Sequence, residues 1–241
     1  MRFRPNRKIA VAALAVLALG LGVAASPQPG TDIAPSTVRM FPAGDAHARV
    51  AVMFFSGDMG FRFGLSAKVA GGISQQLAPT VGFSSYAMFA KRRTPDEARR
   101  IVENAMAETL ARTGAQKIVL AGESYGADMV ATIAPQLPPE LRAKVAAIAL
   151  IVPGEHVYFR ADPLGFAYMG KPDAQPADAV RAIDWAPVIC IQGAEETDSL
   201  CPRLAGSAVR ASALPGGHYL HHDADAVVRA VVGNLRAVMP V

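Results

Sequence analysis

Long apolar runs alternate along the chain with amphipathic or small-residue segments. Continuous apolar runs such as residues 50–55 and 146–152 are typical of strands buried on both faces, whereas the charged segment 95–113 has helical spacing and follows Thr94, a good helix cap. The pattern predicts strands at residues 50–55, 80–88, 117–121, 146–152, 187–192 and 209–214, and helices at 66–77, 95–113, 125–135, from 138, and 225–238. Such alternation predicts a doubly wound, mostly parallel α/β sheet.

Residues 154–184 interrupt this alternation with several prolines and no clear period. An insertion of this length is usually functional, so we expect a cap-like segment over a site. Its aromatic side chains Tyr158, Phe159 and Phe166 are candidates for contact with substrate, acyl chains or a membrane surface. The alternative is that they fill the edge of the core.

The first 25 residues have the pattern of a secretory signal peptide. Four basic residues precede the apolar stretch 9–21, and small residues at positions 23 and 25 suit cleavage before Ser26. We therefore expect an exported, periplasmic protein, with an uncleaved membrane anchor as the alternative. Residues 26–48 predict a linker or irregular lead-in with room for an edge strand, and residues 49–241 predict the folded domain.

The charge of the chain argues against nucleic acid as a binding partner, and its two cysteines suggest a disulfide. Without the four basic residues of the leader, the chain has 20 basic and 20 acidic residues, so the basic surface of a nucleic-acid-binding protein is absent. Cys190 and Cys201 are the only cysteines, and in an oxidising compartment they are expected to form a disulfide. Two free thiols are the alternative, and the spacing does not favour a metal site.

The segment Gly122-Glu123-Ser124-Tyr125-Gly126 follows the predicted strand at 117–121 and opens a predicted helix. G-x-S-x-G between a strand and a helix is the pattern of a nucleophile elbow, in which glycines allow a sharp turn that exposes the serine. Ser124 is therefore the candidate nucleophile, and the pattern as a whole predicts an α/β-hydrolase fold. The alternative is an ordinary strand-to-helix turn.

A base and an orienting acid follow in the chain order that this fold uses. His218, after two glycines, is the expected base, and Asp198 is preferred over Glu196 as the acid because a short side chain at a loop tip is the commoner partner of the imidazole. Glu195 is the third candidate. His221 and His222 with the following Asp223 could instead form a metal-binding or solvated cluster, but no metal or other cofactor is expected.

Two backbone amides should stabilise the oxyanion of such a reaction. One is expected from Tyr125, directly after the nucleophile, and the other from Asp58 or Met59 in the loop after the first central strand. The alternative is a plain turn in which Asp58 caps the next helix.

These motifs together resemble the VirJ family, which includes the carboxyl-terminal domain of AcvB. The resemblance rests on Ser-Gly-Asp-Met-Gly at 56–60, Gly-Glu-Ser-Tyr-Gly-Ala-Asp at 122–128, the loop between the two cysteines, and Leu-Pro-Gly-Gly-His at 214–218. It implies an exported α/β-hydrolase that cleaves aminoacyl-phosphatidylglycerol, a lipid substrate at the membrane surface. Met59, Phe61 and Tyr219 depart from the family's usual residues, at positions that would shape the pocket.

Such a substrate carries an ammonium group, for which Glu123, Asp128 and Glu155 are the candidate partners. Two other functions use the same residues or fold. One is a different exported esterase or peptidase, and the other is a non-catalytic accessory protein associated with a secretion system. The oligomeric state is not specified by the sequence.

Overall fold

The computed structural model describes residues 34–41 and 48–239. The predicted signal peptide at 1–25 and most of the predicted lead-in at 26–48 lie outside these residues. Within them, no helix combines the length and apolar character that crossing a membrane requires.

Seven strands form one sheet in the order β1-β3-β2-β4-β5-β6-β7. The edge strand β1 runs antiparallel to β3, and every other neighbouring pair is parallel. The strands are β1 Val38–Phe41, β2 Val50–Phe55, β3 Thr80–Phe83, β4 Lys117–Glu123, β5 Val145–Ile151, β6 Val188–Gly193 and β7 Arg210–Leu214. The predicted doubly wound sheet is thus confirmed, and β1 occupies the edge for which the lead-in left room.

Helices cover both faces of the sheet. They are α1 Ser66–Gln76, α2 Ser85–Met88, α3 Pro95–Thr113, α4 Tyr125–Ile133, α5 Pro139–Arg142, α6 Ala177–Arg181 and α7 Ala224–Val238. Successive strand residues face opposite layers: Leu120 packs in the core that contains α3 and α4, and Val119 in the core that contains α1 and α7. The continuous apolar runs therefore mark strands buried on both faces.

The strand predicted at residues 80–88 is wrong in its second half, because β3 ends at Phe83 and Ser85–Met88 is helical. Ser85 explains the change of direction: its N–H donates to Ser56 Oγ at 3.0 Å, and its hydroxyl donates to the Ser56 carbonyl at 2.6 Å. These side-chain bonds replace the ladder bonds that a longer strand would need.

The insertion at 154–184 contains a 3₁₀ turn at Phe166–Met169 and the short helix α6. The aromatic side chains of the insertion differ in burial. Phe159 is buried in the same core as α3 and α4, whereas Phe166 is exposed. A bridge between Gly154 and Ser199 ties the insertion to the loop after β6, and a bridge between Val157 and Ala174 lies within the insertion.

The predicted disulfide is confirmed. Cys190 lies within β6, Cys201 begins the 3₁₀ turn Cys201–Leu204, and both are buried. The bond therefore closes the loop of residues 193–200 against the strand from which it departs, and this loop carries the candidate acids.

Close backbone packing forms the turn from β4 into α4. A Cβ atom on Gly126 would lie 2.3 Å from the Phe55 carbonyl oxygen, and one on Gly122 would lie 2.3 Å from the Gly126 backbone. These distances are well below van der Waals contact, so the end of β2 and the first turn of α4 can approach only if both residues lack a side chain.

We expect Gly126→Ala to destabilise the protein by at least about 2 kcal/mol, since the added methyl displaces backbone that cannot move independently. Gly233→Ala is the matched control, because Gly233 is also helical but exposed, and a Cβ there meets nothing within 4 Å. That variant should gain about 0.5–1 kcal/mol from helix propensity. Chemical denaturation measures both, and equal stability of the two variants would contradict the packing argument.

Candidate active site

Ser124 lies at the sharp turn between β4 and α4. Its backbone has φ 52° and ψ −123°, a conformation that a residue with a side chain rarely adopts. The turn is held by its N–H, which donates to the Ile151 carbonyl at 2.8 Å, and by its carbonyl, which accepts from the Asp128 N–H at 3.0 Å. The strained turn projects the hydroxyl above the carboxyl ends of the strands.

His218 connects Ser124 to an acid. The distance from Ser124 Oγ to His218 Nε2 is 2.8 Å, and that from His218 Nδ1 to Glu196 Oε1 is 2.5 Å. The other carboxylate oxygen of Glu196 accepts the Gly193 N–H at 2.9 Å, and only 4% of the Glu196 side chain is exposed. Both oxygens are therefore engaged, which fixes the carboxylate and the imidazole it orients.

The structure corrects the predicted identity of the acid, since Glu196 and not Asp198 contacts His218. Glu196 is the acid in contact with His218, because the Glu196 N–H donates to the Gly193 carbonyl at 3.1 Å and this turn directs the side chain back to the imidazole. Asp198 is exposed, and its carbonyl instead accepts the Glu155 N–H at 2.8 Å. Glu195 is also exposed and contributes its N–H to the Gly216 carbonyl at 3.0 Å.

Glycines allow the acid and histidine loops to touch. A Cβ on Gly193 would lie 2.3 Å from the Gly217 carbonyl oxygen, and Gly216 has φ +96°, which favours glycine. The two loops therefore meet backbone to backbone, with His218 directly after the contact. The sequence showed the glycines before His218 but gave no signal for the requirement at Gly193.

The partners of His218 determine its protonation. The hydrogen bond to Glu196 raises the pKa of His218 above its usual value, and the nearby carboxylates act in the same direction, whereas burial opposes them. The imidazole can therefore accept the Ser124 proton readily, which suits a general base.

The loop expected to hold the oxyanion lies directly against Ser124. A Cβ on Gly57 would be 3.7 Å from Ser124 Cβ, and the Gly57 N–H already donates to Ser66 Oγ at 3.0 Å. Asp58 and Met59 line the same cavity as Ser124 and Tyr125. The Tyr125 amide belongs to the first turn of α4, where helix amides lack a carbonyl partner within the helix.

The alternative function considered for Asp58, capping of the next helix, does not occur. Asp58 Oδ2 accepts the Tyr168 hydroxyl at 2.9 Å, and α1 begins without a side-chain cap. Tyr168 also accepts the Asp162 N–H through its hydroxyl at 2.9 Å. The tyrosine thus joins the insertion to the β2–α1 loop, a contact for which the sequence gave no signal.

A cavity of about 510 Å³ opens beside Ser124 and His218. Five of the side chains that line it are carboxyl groups: Asp58, Asp128, Glu155, Asp162 and Asp198. No lysine or arginine is present among the described residues that line it, but Arg203 Nε, outside the lining, pairs with Glu155 Oε1 at 3.0 Å. The remaining lining residues are Met59, Tyr125, Gly154, His156, Tyr158, Pro163, Leu164, Gly165, Tyr168 and Tyr219.

Three predicted substrate contacts are corrected by this lining. Glu123 lies behind the elbow, where its carboxyl group accepts the Ser66 hydroxyl and burial raises its pKa. Phe159 is buried in the core, and Phe166 is exposed to solvent and does not line the cavity. Of the predicted contacts, Tyr158, Asp128 and Glu155 do line the cavity.

Asp128 forms part of the cavity wall and carries the most perturbed carboxyl group in it. Burial raises the pKa of Asp128 to about 8, although the Gly154 N–H, which donates to Oδ1 at 2.7 Å, acts in the opposite direction. The protonated form of Asp128 is therefore favoured in the free protein at neutral pH. A cation placed beside it would favour the carboxylate.

The histidines after His218 do not form a metal site in the described part of the chain, where no three His, Cys, Asp or Glu side chains are grouped suitably. His221 and His222 have positive φ values of 51° and 58°. The His222 ring stacks on Tyr219 with 5.6 Å between ring centroids. These residues shape the loop after His218.

The sheet, the elbow after β4 and the Ser124–His218–Glu196 arrangement define an α/β-hydrolase-fold protein with the site geometry of a serine hydrolase. The family model described as "Bacterial virulence protein (VirJ)" matches residues 49–239, so the chain belongs to the VirJ family. No curated protein sequence matches the chain significantly.

Solved structures show the same fold at low sequence identity. Est1E from Butyrivibrio proteoclasticus has a TM-score of 0.60 and 14% identity, covering 83% of this chain and 92% of its own. The esterase domain of a Rhodothermus marinus protein has a TM-score of 0.59 and 13% identity, with 83% and 90% covered. The proline iminopeptidase of Mycobacterium smegmatis has a TM-score of 0.57 and 12% identity, with 83% and 94% covered.

Glu196→Gln should lower kcat on a neutral short-chain ester by on the order of 10⁴, because the amide no longer favours the required imidazole tautomer. Removing the carboxylate also lowers the pKa of His218, so the acid limb of the pH profile, where the base becomes protonated, should move to lower pH. The kcat/KM measured between pH 4 and 9 gives both effects.

Asp198→Asn is the matched control for the identity of the acid. It should change kcat on the same neutral ester by less than about tenfold and leave the acid limb in place, since Asp198 does not contact the imidazole. A larger loss for Asp198→Asn than for Glu196→Gln would restore Asp198 as the acid.

Proposed function

We propose that this chain is an exported serine esterase that hydrolyses the aminoacyl ester of aminoacyl-phosphatidylglycerol through an acyl-enzyme. The observation that carries this proposal is the acidic cavity beside the nucleophile. A ligand with an ammonium group near its ester carbonyl is favoured there over an anionic one.

The chemistry follows from the site. Ser124 Oγ attacks the aminoacyl carbonyl while its proton passes to His218 Nε2, and Glu196 stabilises the resulting imidazolium. The amides of Tyr125 and of Asp58 or Met59 stabilise the oxyanion. Collapse of the intermediate breaks the ester bond, and His218 returns the proton to the departing glycerol oxygen. Water then attacks the acyl-enzyme by the same proton transfers and releases the amino acid.

The position of Asp128 supports an ammonium subsite close to the reacting carbonyl. Asp128 is on α4, four residues after Ser124, so its side chain lies one helical turn from the nucleophile. Its carboxyl group is held by the Gly154 N–H and needs a cation or a proton to offset its burial. An α-ammonium group would supply the cation without displacing the Gly154 N–H.

We also propose that the protein is exported to the periplasm. The disulfide and the family membership fit an exported protein. A periplasmic location would place the site on the same side of the membrane as lipids of the outer leaflet. Association with a secretion system remains a separate hypothesis.

Mass spectrometry of lipid extracts tests the substrate class. Cells that produce the protein should contain less aminoacyl-phosphatidylglycerol than cells that lack it, and Ser124→Ala should remove this difference. With purified protein the same substitution should lower turnover by on the order of 10⁶. If Ser124→Ala restores the phenotype of a deletion strain in full, the protein acts as a non-catalytic accessory instead.

Soluble substrates separate the related activities. An aminoacyl ester of glycerol should be cleaved faster than the corresponding aminoacyl amide and faster than an acyl ester of equal size that lacks the amine. Preference for the amide would indicate a peptidase. Preference for the uncharged ester would indicate an esterase of another substrate class.

Asp128→Asn should lower the preference for the cationic ester over its uncharged analogue by about 10–100-fold, because a charge-assisted contact is lost. It should also change the pH dependence of stability. The raised pKa means that folded wild type binds more protons than unfolded wild type between about pH 4 and pH 8, so its stability falls as pH rises through this range.

The asparagine does not titrate, so the Tm of Asp128→Asn relative to wild type should rise between pH 5 and pH 9. Each 1 kcal/mol corresponds to about 2–4 °C in a chain of this size. Differential scanning fluorimetry at the two pH values measures the effect. An unchanged Tm difference would show that Asp128 is ionised in the free protein.

A further inference from the structure

Large apolar side chains in the segments that line the cavity, or next to its lining residues in sequence, are exposed to solvent. They are Phe63 at 62%, Leu164 at 78%, Phe166 at 70%, Met169 at 82% and Tyr219 at 61% relative exposure. Leu164 and Tyr219 line the cavity itself, and the others come from segments that also contribute lining residues. Clustering of exposed apolar side chains around one opening marks an interaction surface.

Within the insertion, the segment 162–169 is folded so that Leu164, Phe166 and Met169 are exposed. Asp162 is buried, and its carboxylate accepts the N–H groups of Leu164 at 3.1 Å and Ala167 at 2.9 Å. Phe166 and Met169 are three residues apart in a 3₁₀ turn, so they share one face. Tyr168, on another face of this turn, is directed inward to Asp58.

The β2–α1 loop adds a second apolar projection. Phe61 packs inward against Phe41 and Phe54, whereas Phe63 is exposed. A Cβ on the adjacent Gly64 would lie 3.8 Å from the end of Met59, which lines the cavity. The loop that carries Phe63 therefore borders the cavity through Met59.

The charged residues near Phe63, Phe166 and Met169 indicate which kind of partner this surface would bind. Residues 59–64 and 163–171 contain no acidic residue, and their charged side chains are Arg62 and Lys171, both exposed. A surface with apolar projections flanked by cations fits an anionic phospholipid bilayer, in which apolar groups enter the acyl boundary and cations meet phosphate groups. A second copy of the chain would bring like charges together.

We infer that Phe63, Leu164, Phe166, Met169 and Tyr219 form a docking surface for anionic lipid, which places the cavity mouth on the bilayer. The inference rests on the proposed function for the route by which substrate enters, since a lipid ester can then reach Ser124 without leaving the membrane surface. The acidic cavity would then receive the aminoacyl group of the substrate, and Arg62 and Lys171 would contact phosphate groups of the surrounding lipid.

Flotation with phosphatidylglycerol vesicles tests the surface, using protein recovered from the periplasmic fraction. Wild type and Ser124→Ala should float equally, and Phe166→Ser/Met169→Ser should bind at least about tenfold more weakly. Met40→Ser is the matched control, because Met40 is an exposed apolar residue on the edge strand β1 that does not line the cavity. Equal flotation of wild type and the double variant would overturn the inference.

A second measurement detects vesicle binding directly and does not require removal of apolar side chains from the surface. Phe166→Trp should show a blue-shifted fluorescence spectrum with these vesicles and quenching by brominated acyl chains, relative to wild type, whose single tryptophan is the partly buried Trp185. An unchanged spectrum would overturn the inference. So would sedimentation showing a wild-type dimer that Phe166→Ser/Met169→Ser dissociates.

The inference and the proposed function fail in different ways. The double variant should retain wild-type kcat/KM on the soluble aminoacyl ester of glycerol while losing activity on vesicles that contain the lipid ester. If wild type binds vesicles but cleaves neither ester, the proposed function is rejected and the docking surface is still supported. Cleavage of both esters at wild-type rates by the double variant would reject the docking surface alone.

Discussion

The close backbone contact between the end of β2 and the start of α4 is the constraint on which the rest of the site depends. Gly126 lies against the Phe55 carbonyl, and this approach forces the turn that places Ser124 in its strained conformation. The same approach brings the loop after β2 against the nucleophile, where its amides can face a developing oxyanion. One steric requirement thus positions the nucleophile and the loop opposite it, and the surrounding core resists relaxation of the strain.

Features set by regular packing could be predicted from the sequence, because they repeat with the period of a strand or helix. The apolar runs identified the central strands, and the short-range pattern around Ser124 identified the elbow. The pairing of Cys190 with Cys201 followed from the small number of cysteines. His218 follows paired glycines, and the structure brings its ring to Ser124.

The parts that could not be predicted are decided by individual loop contacts. Asp198 and Glu196 were both candidates for the acid, and the turn from Gly193 determines which of them reaches the imidazole. The inward position of Phe159 and the outward position of Phe166 depend on how the insertion folds on Tyr168 and Asp162. None of these contacts has a periodic signature, so composition alone left both orientations open.

The raised pKa of Asp128 gives the cavity a charge that depends on its occupant. In the free protein at neutral pH the proton favoured by burial neutralises this carboxyl group. Under the proposed function, the ammonium group of the substrate would take the place of that proton, so the buried Asp128 carboxyl group would not carry an uncompensated charge before or after binding. An ester without an amine could not make this exchange. Release of a proton on binding would therefore distinguish two esters of similar shape.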